Sequence, residues 1–304
     1  MLKRSNSSRW MLLLLLVTNH AIGAACKSAP DAGSIEPPIR SVLVFDPGLL
    51  DNMDALGVEP DGVPSDNWMG TLKKYGANHY ARIGSLFEPD YETVDRLHPG
   101  LILLADRSRS KCTALSRIAP TVDLTVDPID LVGGAIRNAR VIGTLLGREA
   151  IASQRIDHLL RSIDRLRVTA ATRGRALILM TSGGRVTAYG PGSRFGVLHD
   201  SFGFVPAAPD LDVALHGQSV SYEYMARIRP DWIFVIDRDA SIGAEGAAAA
   251  RLLDNALVHL TPAWQNERIV YLDSDDWYMI GLTGIGALQR SVDKLMLRLS
   301  TTHD

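Results

Sequence analysis

The sequence has few cysteines and no excess of charge of either sign. Cys26 and Cys112 are the only cysteines among 304 residues, so the chain is not a disulfide-rich scaffold. The formal net charge is −2, and removal of an N-terminal segment that contains Lys3, Arg4 and Arg9 changes it to −5. A mature chain without excess basic charge does not resemble nucleic-acid-binding proteins, and we expect no nucleic-acid partner.

Motifs of several enzyme and cofactor classes are also absent. No G-x-S-x-G elbow occurs, and Ser182 in "TSGGR" lacks the context of a nucleophile, so we expect no catalysed reaction. The glycines of "GPGSRFG" follow G-x-G-x-x-x-G spacing, not the G-x-G-x-x-G of dinucleotide sites. The histidines of the mature chain lack the ligand spacing of a zinc or manganese receptor. They are His79, His98, His158, His199, His216, His259 and His303.

The N-terminus has the pattern of an export signal. Basic residues precede the apolar run "WMLLLLLV" at 10–17, and the small residues "AIGAAC" follow it. The run is too short to span a bilayer as a helix. Cys26 is a candidate lipidation site, although Gly23 stands where lipobox patterns usually have leucine; the alternative is ordinary cleavage after a small-x-small triplet. If Cys26 is acylated, Cys112 has no disulfide partner.

A passage of 18 residues occurs twice, about 130 residues apart. "DYETVDRLHPGLILLADR" spans 90–107, "SYEYMARIRPDWIFVIDR" spans 221–238, and seven positions are identical. Each copy begins with a helix N-cap residue, Asp90 or Ser221, and contains a proline that ends the helix. Each continues into an apolar run typical of a strand buried on both faces of a parallel sheet. We therefore predict one α/β unit in each of two lobes.

The rest of the chain fits two α/β lobes joined by a helix. Strands are predicted at "SVLVFD" (41–46) and "ALILMT" (176–181), and residues 131–173 contain two helical patterns separated near Gly147. A rigid connecting helix permits only small lobe movements. The predicted organisation is a signal peptide at 1–25, an N-terminal lobe at 38–147, a linker helix at 148–173 and a C-terminal lobe at 174–304.

Each repeat ends in Asp-Arg at the carboxyl end of its strand, where open α/β sheets bind ligands. Arg107 and Arg238 are therefore predicted to face each other across a cleft, and Arg194 lies in the glycine-rich loop "YGPGSRFGVLHD". Guanidinium groups bind planar oxygen arrays and stack on aromatic rings. Three such groups predict a bulky, anionic, oxygen-rich ligand.

Five segments carry a resemblance to a known family: "GPGSRFGVLHD", "HGQSVSYEY", "PDWIFVIDRD", "LLDNALV" and "QNERIVYLDSDDWY". Over about residues 40–300 the chain resembles the ferric siderophore-binding proteins of ABC importers, especially the branch for iron–catecholate complexes of the enterobactin type. The resemblance implies a class III periplasmic binding protein with two Rossmann-like α/β lobes. It also implies a transported Fe(III)–catecholate siderophore, no permanent cofactor and a periplasmic location. We expect a monomer. Cobalamin and haem binders share this fold, so corrinoid or haem capture is the alternative.

The resemblance also implies roles for individual residues. The family's arginine triad falls on Arg107, Arg194 and Arg238, its iron-coordinating histidine on His216 and its tyrosine on Tyr278. Imidazole and phenolate can fill the two iron positions that a tetradentate bis-catecholate leaves open, whereas a hexadentate tris-catecholate saturates the iron and needs only the arginines. Without the resemblance, His216 is read as a turn histidine bonded to backbone, and Trp277 is the alternative aromatic residue of the cleft.

Glu92 and Glu223 occupy the same place in the two repeats, seven residues before the proline. In importers of this class one glutamate per lobe docks onto arginines of the membrane permease, so the resemblance implies that these two glutamates contact the ABC permease. The simpler role is stabilisation of the helix dipole by a carboxylate in the first turn. The two roles are compatible, because such a carboxylate is also exposed.

Overall fold

The computed structural model of the chain describes residues 25–35, 39–66, 68–211, 217–241 and 248–301. The predicted signal peptide, apart from Ala25, and the predicted iron ligand His216 lie outside these ranges.

The N-terminal lobe is built on a parallel sheet. Its strands within the described ranges have the order β1-β6-β5-β2-β3-β4. The apolar strands β2 and β5 pair with each other at the centre of the sheet and are fully buried, as expected for strands covered on both faces. The strands are β1 Lys27–Ser28, β2 Val42–Val44, β3 Gly62–Val63, β4 Ala81–Arg82, β5 Leu101–Leu104 and β6 Thr121–Asp123.

The C-terminal lobe is built on a mixed sheet of order β10-β8-β7-β11-β12, with β9 beside β7. The long strand β7 runs parallel to β11 and antiparallel to β8. The strands are β7 Arg175–Ser182, β8 Arg185–Tyr189, β9 Val205–Pro206, β10 Gln218–Ser219, β11 Trp232–Asp237 and β12 Ile269–Tyr271. The repeated strands β5 and β11 therefore lie in different sheets, as predicted.

Helices cover both sheets and connect them. Those of the N-terminal lobe and the linker are α1 Pro47–Ala55, α2 Tyr91–Arg96, α3 Cys112–Leu115, α4 Leu131–Leu145 and α5 Glu149–Ala170. Those that follow are α6 Val197–Asp200, α7 Tyr222–Ile228, α8 Arg238–Ser241, α9 Ala248–Leu253, α10 Pro262–Gln265 and α11 Ile285–Thr301. Among the residues described, no helix is long and apolar enough to cross a membrane.

The repeated unit forms the same local structure in both lobes. Asp90 caps α2 by accepting a hydrogen bond from the Thr93 N–H (3.1 Å), and Ser221 caps α7 by accepting one from the Tyr224 N–H (3.2 Å). In each copy the helix ends before the proline, and a buried strand follows. The predicted N-caps and strands are confirmed.

The connector between the lobes is α5, and α4 precedes it after a break at Gly147. Gly147 adopts a φ of 65°, a conformation in which glycine ends a helix without steric cost. The buried residues of α5 include Ile156, Leu159, Ile163 and Leu166. The C-terminal helix α11 packs against α5 and α1, so the end of the chain returns to the linker and the N-terminal lobe.

The N-terminal segment differs from the expectation in two respects. Strand β1 pairs with β6, so the N-terminal sheet begins before the predicted lobe boundary at residue 38. Cys26 forms a disulfide with Cys112 on α3, with 5.5 Å between the Cα atoms, a normal separation. The predicted lipidation of Cys26 is incompatible with this bond because both modifications use the same thiol, and Cys112 is a disulfide partner rather than an unpaired cysteine.

Candidate ligand-binding cleft

A cavity of about 190 Å³ lies where the two lobes meet. Arg107 lines it from the N-terminal lobe, whereas Arg194 and Tyr278 line it from the C-terminal part of the chain. The cavity thus lies beyond the carboxyl end of β5, where the repeat predicts a ligand.

Arg107 reaches across the cleft from the end of β5. The preceding residue, Asp106, has a φ of 25°, a strained conformation for a residue other than glycine and one that is frequent at functional sites. Arg107 is half-buried, and its Nη1 donates to the carbonyl oxygen of Met279 at 3.3 Å. This guanidinium therefore connects the N-terminal lobe with the segment that carries Tyr278.

Arg238 is held at the carboxyl ends of two neighbouring strands. It directly follows β11, and its Nη1 donates to the Ser182 hydroxyl at the end of β7 (3.2 Å). Its Nε donates to the phenolic oxygen of Tyr278 at 2.7 Å. Arg238 and Tyr278 therefore present a guanidinium and a hard oxygen donor at the same point.

Arg194 lies in the glycine-rich loop between β8 and α6. The Ser193 hydroxyl donates to the Gly190 carbonyl, and the Gly192 N–H donates to the Asp200 carboxylate, which together order the loop. The Arg194 guanidinium carbon lies 4.9 Å from the ring centre of Tyr278, within the range of cation–π attraction. The three arginines Arg107, Arg194 and Arg238 are thus brought together around Tyr278, while their ligand-binding role stays a prediction.

Tyr278 lies on a single π-helical turn, Asp275–Met279, a rare element that often occurs at functional sites. The neighbouring Trp277 is 1% exposed and packs edge-on against Phe202, with 6.3 Å between ring centres. Trp277 is therefore part of the core. Tyr278, not the alternative Trp277, is the aromatic residue that faces the arginines.

A buried ionic cluster holds the Tyr278 turn against the N-terminal lobe. Arg290 on α11 contacts Asp276 (2.5 Å) and Asp51 of α1 (2.7 Å), and Asp51 also accepts the Ala287 N–H at 2.8 Å. Burial raises the pKa of Asp276 to about 6, while Arg290 acts in the opposite direction. Sequence reasoning missed this cluster because its members are far apart in the chain and no motif connects them.

Sequence reasoning also missed two polar residues that line the cavity, Asp46 and Asn138. Asp46 caps α1 by accepting the Leu49 N–H (3.0 Å), and burial raises its pKa although Leu49 and Arg107 favour the charged form. Asp46 ends the predicted strand "SVLVFD", so the strand-end argument that located Arg107 applied to it as well. Asn138 carries no such signal, since it is one polar residue inside the amphipathic helix α4.

Metal ligands are sparse in the described part of the chain. Within those ranges no three His, Cys, Asp or Glu side chains come close enough together to hold a metal ion. His199, near the cleft in sequence, is half-buried and its Nδ1 donates to the Phe204 carbonyl at 2.9 Å, so it serves the fold. Direct iron coordination by Tyr278 and His216 stays a prediction, with His216 outside the described residues.

The two predicted permease-docking glutamates are exposed on the first turns of α2 and α7. The Glu92 side chain is 91% exposed and lies 3.8 Å from Arg96. Hydrogen bonds from its own backbone N–H and from the Ser221 hydroxyl hold the pKa of Glu223 below its ordinary value. Both positions therefore present accessible carboxylates, one on each lobe.

Comparisons with known proteins identify the family. A model of the periplasmic binding protein family matches residues 42–276. The chain belongs to this family. The petrobactin-binding protein YclQ of Bacillus subtilis (strain 168) is 36% identical over 245 residues, which are 80% of this chain and 77% of YclQ. The crystal structure of YclQ has a TM-score of 0.83 at 33% identity, over 88% of this chain and 94% of that one.

Two further relatives agree with this assignment. The catecholate-siderophore-binding protein VctP of Vibrio cholerae has a TM-score of 0.80 at 29% identity, covering 86% of this chain and 95% of that chain. The ferric-anguibactin-binding protein FatB of Vibrio anguillarum (strain ATCC 68554 / 775) is 26% identical over 266 residues, 84% of this chain and 81% of FatB. The predicted fold class, a two-lobe α/β periplasmic binding protein with a connecting helix, is confirmed.

Proposed function

We propose that this protein is the substrate-binding component of an ABC iron importer and captures an anionic ferric catecholate siderophore between its lobes. The observation that carries the proposal is the convergence of Arg107, Arg194 and Arg238 around Tyr278. Three guanidinium groups favour a ligand with several negative charges and planar oxygen arrays. The protein binds and delivers its ligand without catalysing a reaction.

The names of the relatives support the choice of ligand class. YclQ is named for petrobactin, FatB for ferric anguibactin and VctP for catecholate siderophores. A ferric tris-catecholate carries a charge of −3, which matches three arginines. A corrinoid or haem has less need of such a cluster, and none of the described residues that line the cleft favours either of them over a ferric chelate.

We propose that Tyr278 supplies a phenolate ligand to iron when the siderophore leaves coordination positions open, with His216 as the second protein ligand. Phenolate is a hard anionic donor suited to Fe(III). The Arg238 N–H that points at the phenolic oxygen supports this role because it stabilises negative charge there. The iron must displace the phenolic proton, so binding of a tetradentate chelate becomes pH-dependent.

Delivery to the importer is assigned to Glu92 and Glu223. Both carboxylates are exposed at the same place in the two copies of the repeat, so they form a pair of docking points, one per lobe, for arginines of the permease. The working location is outside the cytoplasm, in the periplasm. The Cys26–Cys112 disulfide suits such an oxidising compartment and favours a soluble mature protein over one anchored by lipid at Cys26.

A fluorescence titration of the mature protein tests the proposed function. Trp277 is buried next to Tyr278, so its emission reports on occupation of the cleft. The ligands are a ferric bis-catecholate, a ferric tris-catecholate, a ferric hydroxamate, haem and cobalamin, with absorption spectra recorded for the iron complexes. We expect tight quenching by the catecholates and a shifted charge-transfer band for the bis-catecholate. Binding of haem or cobalamin alone would overturn the ligand assignment and leave the fold unaffected.

A further inference from the structure

The cavity between the lobes is too small to enclose a whole ferric siderophore. Its volume is about 190 Å³, whereas pockets that bury a drug-sized ligand measure roughly 300–1,000 Å³. Arg107, Arg194 and Tyr278 line this cavity, and Arg238 contacts Tyr278 from outside the lining. The ferric centre is therefore expected at the arginines, with only a part of the ligand inside the cavity.

Apart from Asp106 and Arg107, the wall contributed by the N-terminal lobe differs in character from the residues around Tyr278. Its side chains are mainly apolar, and they are Leu124, Val126, Pro128 and Leu131. Besides Asp106 and Arg107, two polar residues interrupt this wall, Asp46 just after β2 and Asn138 on α4. Both offer hydrogen-bond acceptors, so this side of the cavity suits an apolar group that carries a donor.

Asn138 holds an acceptor without a partner in the described structure. Its side chain is fully buried, and its Nδ2 donates to the Leu124 carbonyl at 2.6 Å. That bond fixes which way the Asn138 amide points, because the backbone carbonyl of Leu124 can accept a hydrogen bond only from Nδ2 and not from Oδ1. Among the residues described, the Oδ1 atom has no hydrogen-bond partner. A buried amide oxygen without a donor costs free energy, and a donor on a bound ligand removes that cost.

Asp46 adds a carboxyl group to the same wall. It is 6% exposed, and its Oδ1 caps α1 through the Leu49 N–H. A carboxylate in a cavity that binds an anionic chelate is unfavourable for the chelate itself. It is favourable for an N–H group, above all a protonated amine.

We propose that this wall is a subsite for the linker of the siderophore, and that it recognises an apolar chain bearing an N–H donor. Asn138 Oδ1 and the Asp46 carboxylate accept hydrogen bonds from that donor while the chain lies against Leu124, Val126 and Leu131. The inference rests on the proposed function, because it requires the ferric centre to lie at the arginines. It adds a chemical requirement on the part of the ligand that does not touch the iron.

Two synthetic probes test the subsite. One is the ferric complex of a linear bis-catecholate whose alkyl linker contains a central secondary amine, and the other has an ether oxygen in place of that amine. The wild-type protein is expected to bind the amine probe about three- to tenfold more tightly, the range of one hydrogen bond. Asn138→Leu, similar in shape but without the acceptor, is expected to reduce this preference. Tyr278→Phe is the matched control and should weaken both probes while keeping the preference.

The possible results separate the subsite from the proposed function. An equal preference in wild type and Asn138→Leu, or no preference in wild type, overturns the subsite. Failure of both probes to bind to wild type contradicts the proposed function itself. Because Asn138→Leu also removes the bond to Leu124, its folding is checked by circular dichroism and thermal melting.

Val126→Phe gives a second test that leaves Asn138 in place. The larger side chain occupies the apolar part of the cavity. We expect it to weaken the linked amine probe more than tenfold and to leave the ferric complex of two separate catechols, which has no linker, nearly unchanged. Equal losses for linked and unlinked complexes would show that the linker does not enter this cavity.

Discussion

At the scale of single residues, Tyr278 is the point where contacts from several elements meet. Arg238 donates to its phenolic oxygen, Arg194 stacks on its ring and Arg107 contacts the carbonyl of the next residue. A hydroxyl in this position can serve either as a structural acceptor for Arg238 or as a ligand to iron. The two roles differ in their dependence on the siderophore.

Tyr278→Phe separates these roles. If the phenolate fills an open iron position, the change weakens a ferric bis-catecholate, by about tenfold or more, and affects a saturated tris-catecholate much less. Parallel fluorescence titrations with both chelates measure the difference. Tyr271→Phe, at a half-exposed tyrosine of β12, is the control and should leave both affinities unchanged. Equal losses for both chelates in Tyr278→Phe would contradict direct coordination.

At the scale of elements, the Tyr278 turn depends on α11 and α1 through Arg290. This arginine neutralises two carboxylates, Asp51 and Asp276, whose side chains are 2% and 3% exposed. Asn52 of α1 adds hydrogen bonds to the backbone of Thr283 and Ile285. The turn is thus fixed to the N-terminal lobe rather than only to its own sheet.

Arg290→Met is expected to destabilise the protein strongly. It leaves two buried carboxylates without their cation, and removal of one partner from a buried ion pair typically costs about 3–5 kcal/mol. Thermal or urea unfolding measures the loss. Arg161→Met, at an exposed arginine of α5, should change stability by less than about 0.5 kcal/mol. A similar small effect for both variants would show that the cluster does not hold the turn.

Asp276 gives this cluster a pH dependence of defined sign. Its pKa is raised to about 6 from an ordinary value of 3.8. Between the pH values that correspond to these two pKa values, the folded state therefore binds more protons than the unfolded state. Stability from this residue therefore falls as pH rises from about 4 to 6, by about 3 kcal/mol in total. We expect the difference in unfolding free energy between wild type and Asp276→Asn to decrease over that range. A constant difference from pH 4 to 7 would contradict the raised pKa.

At the scale of the whole molecule, the repeat places one exposed carboxylate on each lobe. Charge reversal at both sites, Glu92→Lys with Glu223→Lys, should abolish iron uptake in cells while the purified protein keeps its affinity for the ferric chelate. Glu149→Lys is the matched control, since Glu149 is also an exposed carboxylate in the first turn of a helix. Loss of affinity in the double variant would mean that the glutamates serve the cleft or the fold instead of docking.

The disulfide determines how the N-terminal segment is attached. Cys26 and Cys112 are separated by 86 residues, and closure of a loop of this size typically contributes about 2–4 kcal/mol. Cys112→Ser should therefore lower the melting temperature of the oxidised protein, and a reductant should lower that of wild type but not of the variant. An unchanged melting temperature together with lipid on Cys26 by mass spectrometry would restore the lipoprotein interpretation.

The sequence alone determined the features that depend on local chemistry and on the repeat. The N-caps Asp90 and Ser221, the buried strands after each proline and the break at Gly147 follow from rules that act over a few residues. The resemblance of the motifs also identified Arg107, Arg194, Arg238 and Tyr278, which the fold does bring together.

Tertiary structure alone decided the features that need residues from distant parts of the chain. The choice between Tyr278 and Trp277 depends on the direction in which a π-helical turn faces, and that turn is held by Arg290 and Asp51 from two other elements. Likewise, the sequence shows that position 138 is a polar asparagine, but it does not show that the Oδ1 atom of this residue lacks a hydrogen-bond partner among the described residues. Sequence patterns record which side chains are buried, whereas the partner of each buried polar group is set only when separate helices and strands pack together.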